Sequence, residues 1–171
     1  NDAYQTVTDP SVYVKFKLID KRGNDLLLRE VEDRTFLKNS KERMTTDRHA
    51  VRSVVFDKDG RIALLHSKKH GYYDLPGGGV ESSETCEEAV ARETKEEAGY
   101  EIEIIHKLGD VTAYLQDDDV KNISHGYYCK VINSGEPTFA EDEIEEDLET
   151  IWADNLDQAI ALVKGTGDSD T

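Results

Sequence analysis

A chain of 171 residues is long enough for one domain with its own core, or for a domain with an appendage. Its net charge of −16, from 37 Asp and Glu against 21 Lys and Arg, excludes a nucleic-acid polymer as partner, because such partners need a basic footprint. No apolar run is long enough to span a membrane, no secretory signal is visible, and Cys86 and Cys129 lack metal-type spacing, so a reduced, cytoplasmic protein is expected.

The charge is unevenly placed. Residues 1–48 carry +1 and residues 49–171 carry −17. An anionic substrate would be repelled by the second segment unless a cation came with it. In the first segment Val12, Val14, Phe16 and Leu18 alternate with polar residues, and a turn at Lys21-Arg22-Gly23-Asn24 leads to the apolar run Leu26-Leu27-Leu28. Residues 11–32 therefore read as a β-hairpin, and the polar stretch 33–48 as a connector. The expected division is a hairpin extension and connector over 1–48, a main domain over 49–165, and a disordered tail over 166–171. The hairpin would serve as extra sheet edge or as a homodimer surface.

The main domain opens with HAVRSVVFD, a turn at Lys58-Asp59-Gly60, and RIALLHS, which together read as a second hairpin of buried strands. Arg52 interrupts the first of these strands and could reach a phosphate or form a strand-end ion pair. Lys68, Lys69 and His70 make a small basic knot, either a solvated turn or a group that receives phosphates, with Lys69 the candidate. Of the neighbours Tyr72 and Tyr73, one is expected to stack on a base while the other packs, and Tyr73 is the candidate for stacking. Pro76-Gly77-Gly78-Gly79 then suits a tight loop where backbone approaches something closely.

A helix is predicted from the capping-box pair Thr85 and Glu88, and Gly99 stands where a left-handed cap should end it. At 100° per residue, Cys86, Ala89 and Val90 form an apolar stripe. Glu93 and Glu97 continue that stripe and Glu96 lies at its edge. Acids clustered near the negative end of a helix dipole need a counter-ion or raised pKa values if they are partly buried. Such oxygen-rich clusters suit hard cations, although a solvated acidic face would look the same in sequence.

Beyond Tyr100, EIEIIHKL and DVTAYLQ read as two strands and ISHGYYCKVI as another. Asp117-Asp118-Asp119 lacks the glycine and the closing glutamate of a calcium loop and reads as a charged turn. None of the five histidines has zinc-type spacing. An acidic loop holding Glu141, Glu143, Glu145 and Glu146 precedes a last strand with Leu148, Ile151 and Trp152, then a helix from Leu156 to Val163 ended by Gly165.

From Gly78 the chain runs five residues to Glu84, seven more, then Arg92-Glu93-Thr94-Lys95-Glu96-Glu97-Ala98-Gly99-Tyr100. This resembles the signature of the Nudix hydrolases, G-x5-E-x7-R-E-U-x-E-E-x-G-U, where U is bulky and apolar. All seven fixed positions match, namely Gly78, Glu84, Arg92, Glu93, Glu96, Glu97 and Gly99. Thr94 departs from the first U position, and Ser83 stands where glycine is common.

The resemblance implies an α/β fold, a Nudix-type α/β/α sandwich with a mixed β-sheet, here carrying the N-terminal β-hairpin as an extension. It also implies a loop-helix-loop that binds Mg2+, or Mn2+, and hydrolysis of a nucleoside diphosphate linked to another group. By position, the Gly77 carbonyl and the carboxylates of Glu93, Glu96 and Glu97 would form the metal site. Glu93 also matches the residue proposed as base or base-orienting group. Arg92 and Glu84 would hold the loop against the helix. Many members take one more acid from the loop before the last strand. Glu143 is the candidate, its side chain turned inward by burial of Ile144, while Glu145 and Glu146 would be solvated. The leading expectation is an enzyme of the nucleoside triphosphate or oxidised-nucleotide type. A nucleotide-sugar (ADP-ribose-like) pyrophosphatase is the alternative, mildly favoured by the hairpin. A non-catalytic nucleotide sensor is the alternative of another class, weakened because the signature acids are retained.

Overall fold

The computed structural model describes residues 12–19, 25–31, 46–115 and 120–165. In chain order these form β1 (Val12–Ile19), β2 (Asp25–Val31), β3 (Thr46–Phe56), β4 (Ile62–Ser67), β5 (Tyr72–Asp74) and α1 (Cys86–Ala98). They are followed by β6 (Tyr100–Leu115), β7 (Val120–Ser134), α2 (Glu141–Glu145), β8 (Leu148–Ala153) and α3 (Leu156–Gly165). The tail at 166–171, residues 33–45 of the connector and the turns at Lys21-Arg22-Gly23-Asn24 and Asp117-Asp118-Asp119 lie outside the described residues, whereas residues 46–48, read as connector, open β3. No helix among the described residues is long and apolar enough to cross a membrane.

The chain forms two compact units, Asn1–Ala50 with Leu108–His125, and Val51–Lys107 with Gly126–Thr171. Residues 108–125, which the linear division assigns to the main domain, therefore cluster with the hairpin. In the first unit β1 pairs antiparallel with β2, from Val14↔Val31 to Ile19↔Asp25. It pairs on its other edge with the second half of β6, from Val12↔Leu115 to Leu18↔Gly109. The predicted hairpin is present, and β6 supplies its third strand. Here too His49 Nδ1 lies 3.0 Å from His125 Nε2, and His125 Nδ1 lies 2.6 Å from Asp110 Oδ1.

In the second unit β4 carries β5 and β8. Its pairing with β5 runs from Leu65↔Asp74 to Ser67↔Tyr72, and with β8 from Ile62↔Ala153 to Ser67↔Leu148. Side chains alternate between sheet faces with period two, and the core divides accordingly. Val51, Val55, Ala63, Tyr127 and Cys129 pack on Ala89 and Val90 of α1. Ile62, Leu64, Ala153, Val54, Phe56 and Ile151 pack on Ala159 and Leu162 of α3. Helix, sheet and helix are therefore layered as the α/β/α expectation required.

Two departures concern the later elements. EIEIIHKL and DVTAYL form one continuous strand, β6, because Gly109 between them and the following Asp110 pair with Leu18 and Lys17 of β1 instead of turning. The acidic loop contains a short helix, α2, opened by the Ile144 amide on the Ala140 carbonyl at 2.9 Å.

Candidate active site

The loop from Pro76 to Gly79 lies along β3. Ser53 N–H donates to the Pro76 carbonyl at 2.8 Å, and Val51 N–H donates to the Gly78 carbonyl at 2.9 Å. Such close backbone docking leaves no room for a side chain at Gly77. Its φ is +146°, and a Cβ there would sit 2.1 Å from the Val51 carbonyl oxygen. At Gly78 a Cβ would sit 2.5 Å from Glu93 Oε1. Gly79 faces open space.

α1 begins and ends as its sequence dictates. The Thr85 side chain accepts from the Glu88 amide while the Glu88 carboxylate accepts from the Thr85 amide, a complete capping box. Gly99 closes the helix in the left-handed conformation at φ +74°. The last-turn carbonyls of Glu96 and Glu97 are taken by the Thr138 amide at 2.7 Å and the Thr150 hydroxyl at 3.4 Å. Those bonds blunt the negative helix end beside which the acids sit. Thr94, the residue that departs from the signature, is fully buried with its hydroxyl 2.6 Å from the Val90 carbonyl and 2.8 Å from Ser53 Oγ. Ser53 Oγ in turn donates to the Pro76 carbonyl at 3.1 Å. A polar bridge from helix to strand to loop replaces the apolar contact expected there.

Arg92 is the hub of the loop-helix junction. Nε and Nη2 reach Glu84 at 3.1 and 2.6 Å, Nη2 also reaches the Gly79 carbonyl at 3.0 Å, and Nη1 reaches Glu93 at 2.9 Å and Glu96 at 3.0 Å. All five guanidinium donors have acceptors, which is how arginine is used where geometry must be fixed. The Glu84 carboxyl is held below the usual range chiefly by Arg92, and the Arg92 guanidinium is pushed up chiefly by Glu84.

Glu97 is 8 % exposed, and its Oε2 accepts from the Gly77 amide at 2.6 Å. Burial pushes its pKa up to about 8, with the charges of Glu143 and Glu93 adding to the effect and the Gly77 amide and Arg52 opposing it. Glu93 is also raised, first by burial and then by Glu96 and Glu143, against the pull of Arg92. Glu97 and Glu143 line a cleft of about 220 Å³ together with Arg52, Tyr72, Gly77 and Glu146.

The oxygen-only donor set of Gly77, Glu93, Glu96 and Glu97 fits a hard divalent cation, and two of its carboxylates, Glu93 and Glu97, are raised by burial and then by neighbouring acids. Among the described residues no three such side chains converge as a ready-made cage. Arg92 holds Glu93 and Glu96 instead.

The other candidates divide. Arg52 lies in the cleft, donating from Nη1 to the Gly77 carbonyl at 2.6 Å and to the Val51 carbonyl at 3.0 Å, with Asp74 3.6 Å from Nη2. Tyr73 does not line the cleft. It stacks on His66, its cross-strand partner, at 4.4 Å and packs with the α3-side core. Alternation along β5 sends Tyr72 and Asp74 to the cleft instead. The Tyr72 hydroxyl donates to Glu146, which pushes its pKa up to about 12. Lys69 is exposed and outside the cleft lining, and its amide donates to the Glu146 carbonyl at 3.4 Å.

Two expectations about α2 are corrected. Ile144 is 64 % exposed, so its burial does not aim Glu143. The Glu143 carboxylate instead caps the Ala140 amide at 2.5 Å. Glu146 is not a solvated bystander, because it lines the cleft and accepts from Tyr72.

With loop, helix and cleft in view, comparison with known proteins gives the class. The Nudix domain profile matches residues 46–162, and this chain belongs to the Nudix family of pyrophosphohydrolases. A MutT-like protein from Streptomyces ambofaciens is 29 % identical over 120 residues, 65 % of this chain and 75 % of that protein. An ADP-ribose pyrophosphatase from Methanocaldococcus jannaschii is 50 % identical over 48 residues, but this covers only 26 % of the chain and 28 % of that enzyme. An 8-oxo-dGTP diphosphatase from Proteus vulgaris is 34 % identical over 58 residues, 32 % of this chain and 52 % of that one. Among solved structures, a Nudix hydrolase from Nitrosomonas europaea superposes with a TM-score of 0.56 at 16 % identity, over 68 % of this chain and 78 % of that one. At such identity the likeness speaks for the fold.

Proposed function

We propose that this chain hydrolyses the pyrophosphate bond of a nucleoside diphosphate linked to another group, using Mg2+ or Mn2+ held by Gly77, Glu93, Glu96 and Glu97. The observation that carries this is the buried Glu97 carboxylate, fixed on the Gly77 amide beside Glu93 and Glu143 at the wall of the cleft. A bound divalent cation supplies neutralisation of phosphate oxygens and a lowered pKa for water.

The protein's own groups do the remainder. Arg52 contacts a phosphate, Tyr72 offers its ring to the substrate, and Glu143 takes the proton of the attacking water at its carboxylate. Glu93 is less suited as base, being tied to Arg92 at 2.9 Å. Substituting Glu143→Gln is expected to lower kcat by about 10²-fold with KM little changed, and to remove the acidic limb of the pH profile. The exposed neighbour Glu145 is the control, and Glu145→Gln should keep both rate and limb. An unaltered profile in Glu143→Gln would move the base to Glu93.

For the substrate we favour a nucleoside triphosphate of the oxidised type, supported by the likeness to the Proteus vulgaris diphosphatase. ADP-ribose is the second reading, supported by the local likeness to the Methanocaldococcus jannaschii pyrophosphatase. Hydrolysis of 8-oxo-dGTP and of ADP-ribose, each with Mg2+, compares them directly. Faster turnover of ADP-ribose would reverse the preference. Binding of both with hydrolysis of neither would favour a sensor.

A further inference from the structure

The carbonyls of the glycine loop are committed to different partners. Those of Pro76 and Gly78 are fixed by backbone amides of β3, and that of Gly79 by Arg92, which is itself locked by three glutamates. The Gly77 carbonyl is held by Arg52, a side chain about one third exposed that also reaches the Val51 carbonyl and has a carboxylate acceptor nearby. That acceptor is Asp74, whose carboxylate is fixed on the Leu75 amide at 2.7 Å.

We propose that Arg52 occupies the Gly77 carbonyl as a stand-in before a divalent cation arrives, and that the cation displaces it from that oxygen. Because this rests on Gly77 as a cation ligand, it deepens the function proposed above. A guanidinium and a divalent ion on one partly buried oxygen repel each other, so they occupy it in turn. Once displaced, the guanidinium swings toward Asp74 and remains in the cleft as a cation available to phosphate. Metal and phosphate binding are then coupled through one side chain, and the coupling is reciprocal.

The test uses binding and spectroscopy on the full chain. Mn2+ is titrated into the wild type and Arg52→Gln, with free Mn2+ followed by electron paramagnetic resonance. The Arg52 Nε–H signal, assigned by its loss in the variant, is followed in the wild type during a Mg2+ titration. The expected result is Mn2+ affinity on the order of tenfold tighter in Arg52→Gln, with the Nε–H signal shifting in step with Mg2+ loading. Equal or weaker Mn2+ binding by the variant overturns the proposal. Tighter binding with an unmoved Nε–H signal also overturns it, since the arginine then acts through its field alone. Absence of Mn2+ binding by the wild type would overturn the metal assignment as well. If the expected pattern appears without nucleotide hydrolysis, the hydrolase reading fails while the role of Arg52 stands.

Discussion

Glu97→Gln should lower hydrolysis by at least ~10²-fold in the presence of Mg2+, and yet make the metal-free protein more stable. The two effects share one cause. Glu97 is buried among Glu93 and Glu143, and its pKa is pushed from the ordinary 4.5 up to about 8. Between those values the folded protein keeps a proton that the unfolded chain has released. Folding is therefore opposed progressively as pH rises from about 4.5 to about 8, and the opposition is complete above that. Glutamine keeps an oxygen acceptor for the Gly77 amide and carries no charge. The variant should gain about 1–3 kcal/mol at pH 8, or roughly 3–10 °C in Tm, and almost nothing at pH 4.5. Adding Mg2+ should reverse the order at pH 8, because a ligand stabilises the state that binds it. Thermal melts at both pH values, with chelator and with Mg2+, check all of this. A Tm difference that ignores pH would mean that Glu97 titrates normally, and unchanged turnover would remove it from the metal site.

What the sequence disclosed, and what it hid, follows from the range of the interactions involved. The ends of α1 were legible because capping is local, needing only Thr85 with Glu88 and then Gly99. The buried strands β3 and β4 were legible as apolar runs, and the fold then sorts Val51 and Val55 from Val54 and Phe56 onto opposite faces. The resemblance implied that Arg92 and Glu84 hold the loop against the helix, but the bonds of Arg92 to Glu93, Glu96 and the Gly79 carbonyl needed the fold. What could not be read were contacts between segments distant in the chain. Glu146 joins Tyr72 across 74 residues, and Ser53 joins Thr94 across 41. Nothing local marks either pair. At Thr94, where the signature has a bulky apolar residue, a buried hydroxyl is tolerated because Ser53 and the Val90 carbonyl satisfy it. The choice of Tyr73 failed for a different reason. Period two puts Tyr72 and Tyr73 on opposite faces but leaves open which face meets the cleft; Asp74, which shares the Tyr72 face, was the signal that could have decided it.

Gly77→Val should be the most damaging single change in the loop, while Gly79→Ala should pass almost unnoticed. At Gly77 the backbone adopts φ +146°, which side chains rarely tolerate, and a Cβ would meet Val51 backbone atoms at 2.1 and 2.8 Å. Those atoms belong to the buried strand β3 and cannot retreat without breaking the Val51–Gly78 and Ser53–Pro76 hydrogen bonds. The loop must therefore lift away, taking the Gly77 carbonyl from the cleft and its amide from Glu97. We expect a destabilisation of about 3 kcal/mol or more and hydrolysis reduced by at least ~10²-fold. A methyl group at Gly79 would have no atom within 4 Å, and the backbone there has no positive φ. Gly79→Ala should therefore stay within about 0.5 kcal/mol of the wild type. Its carbonyl can still accept from Arg92. Gly77→Ala is the milder partner for the case in which Gly77→Val fails to fold. The 2.1 Å clash is already present at Cβ, so alanine should show the same direction of change in both Tm and Mn2+ affinity. Comparable, small effects at Gly77 and Gly79 would mean that the run of glycines only makes a turn, and that the close approach to Val51 is not what positions the carbonyl.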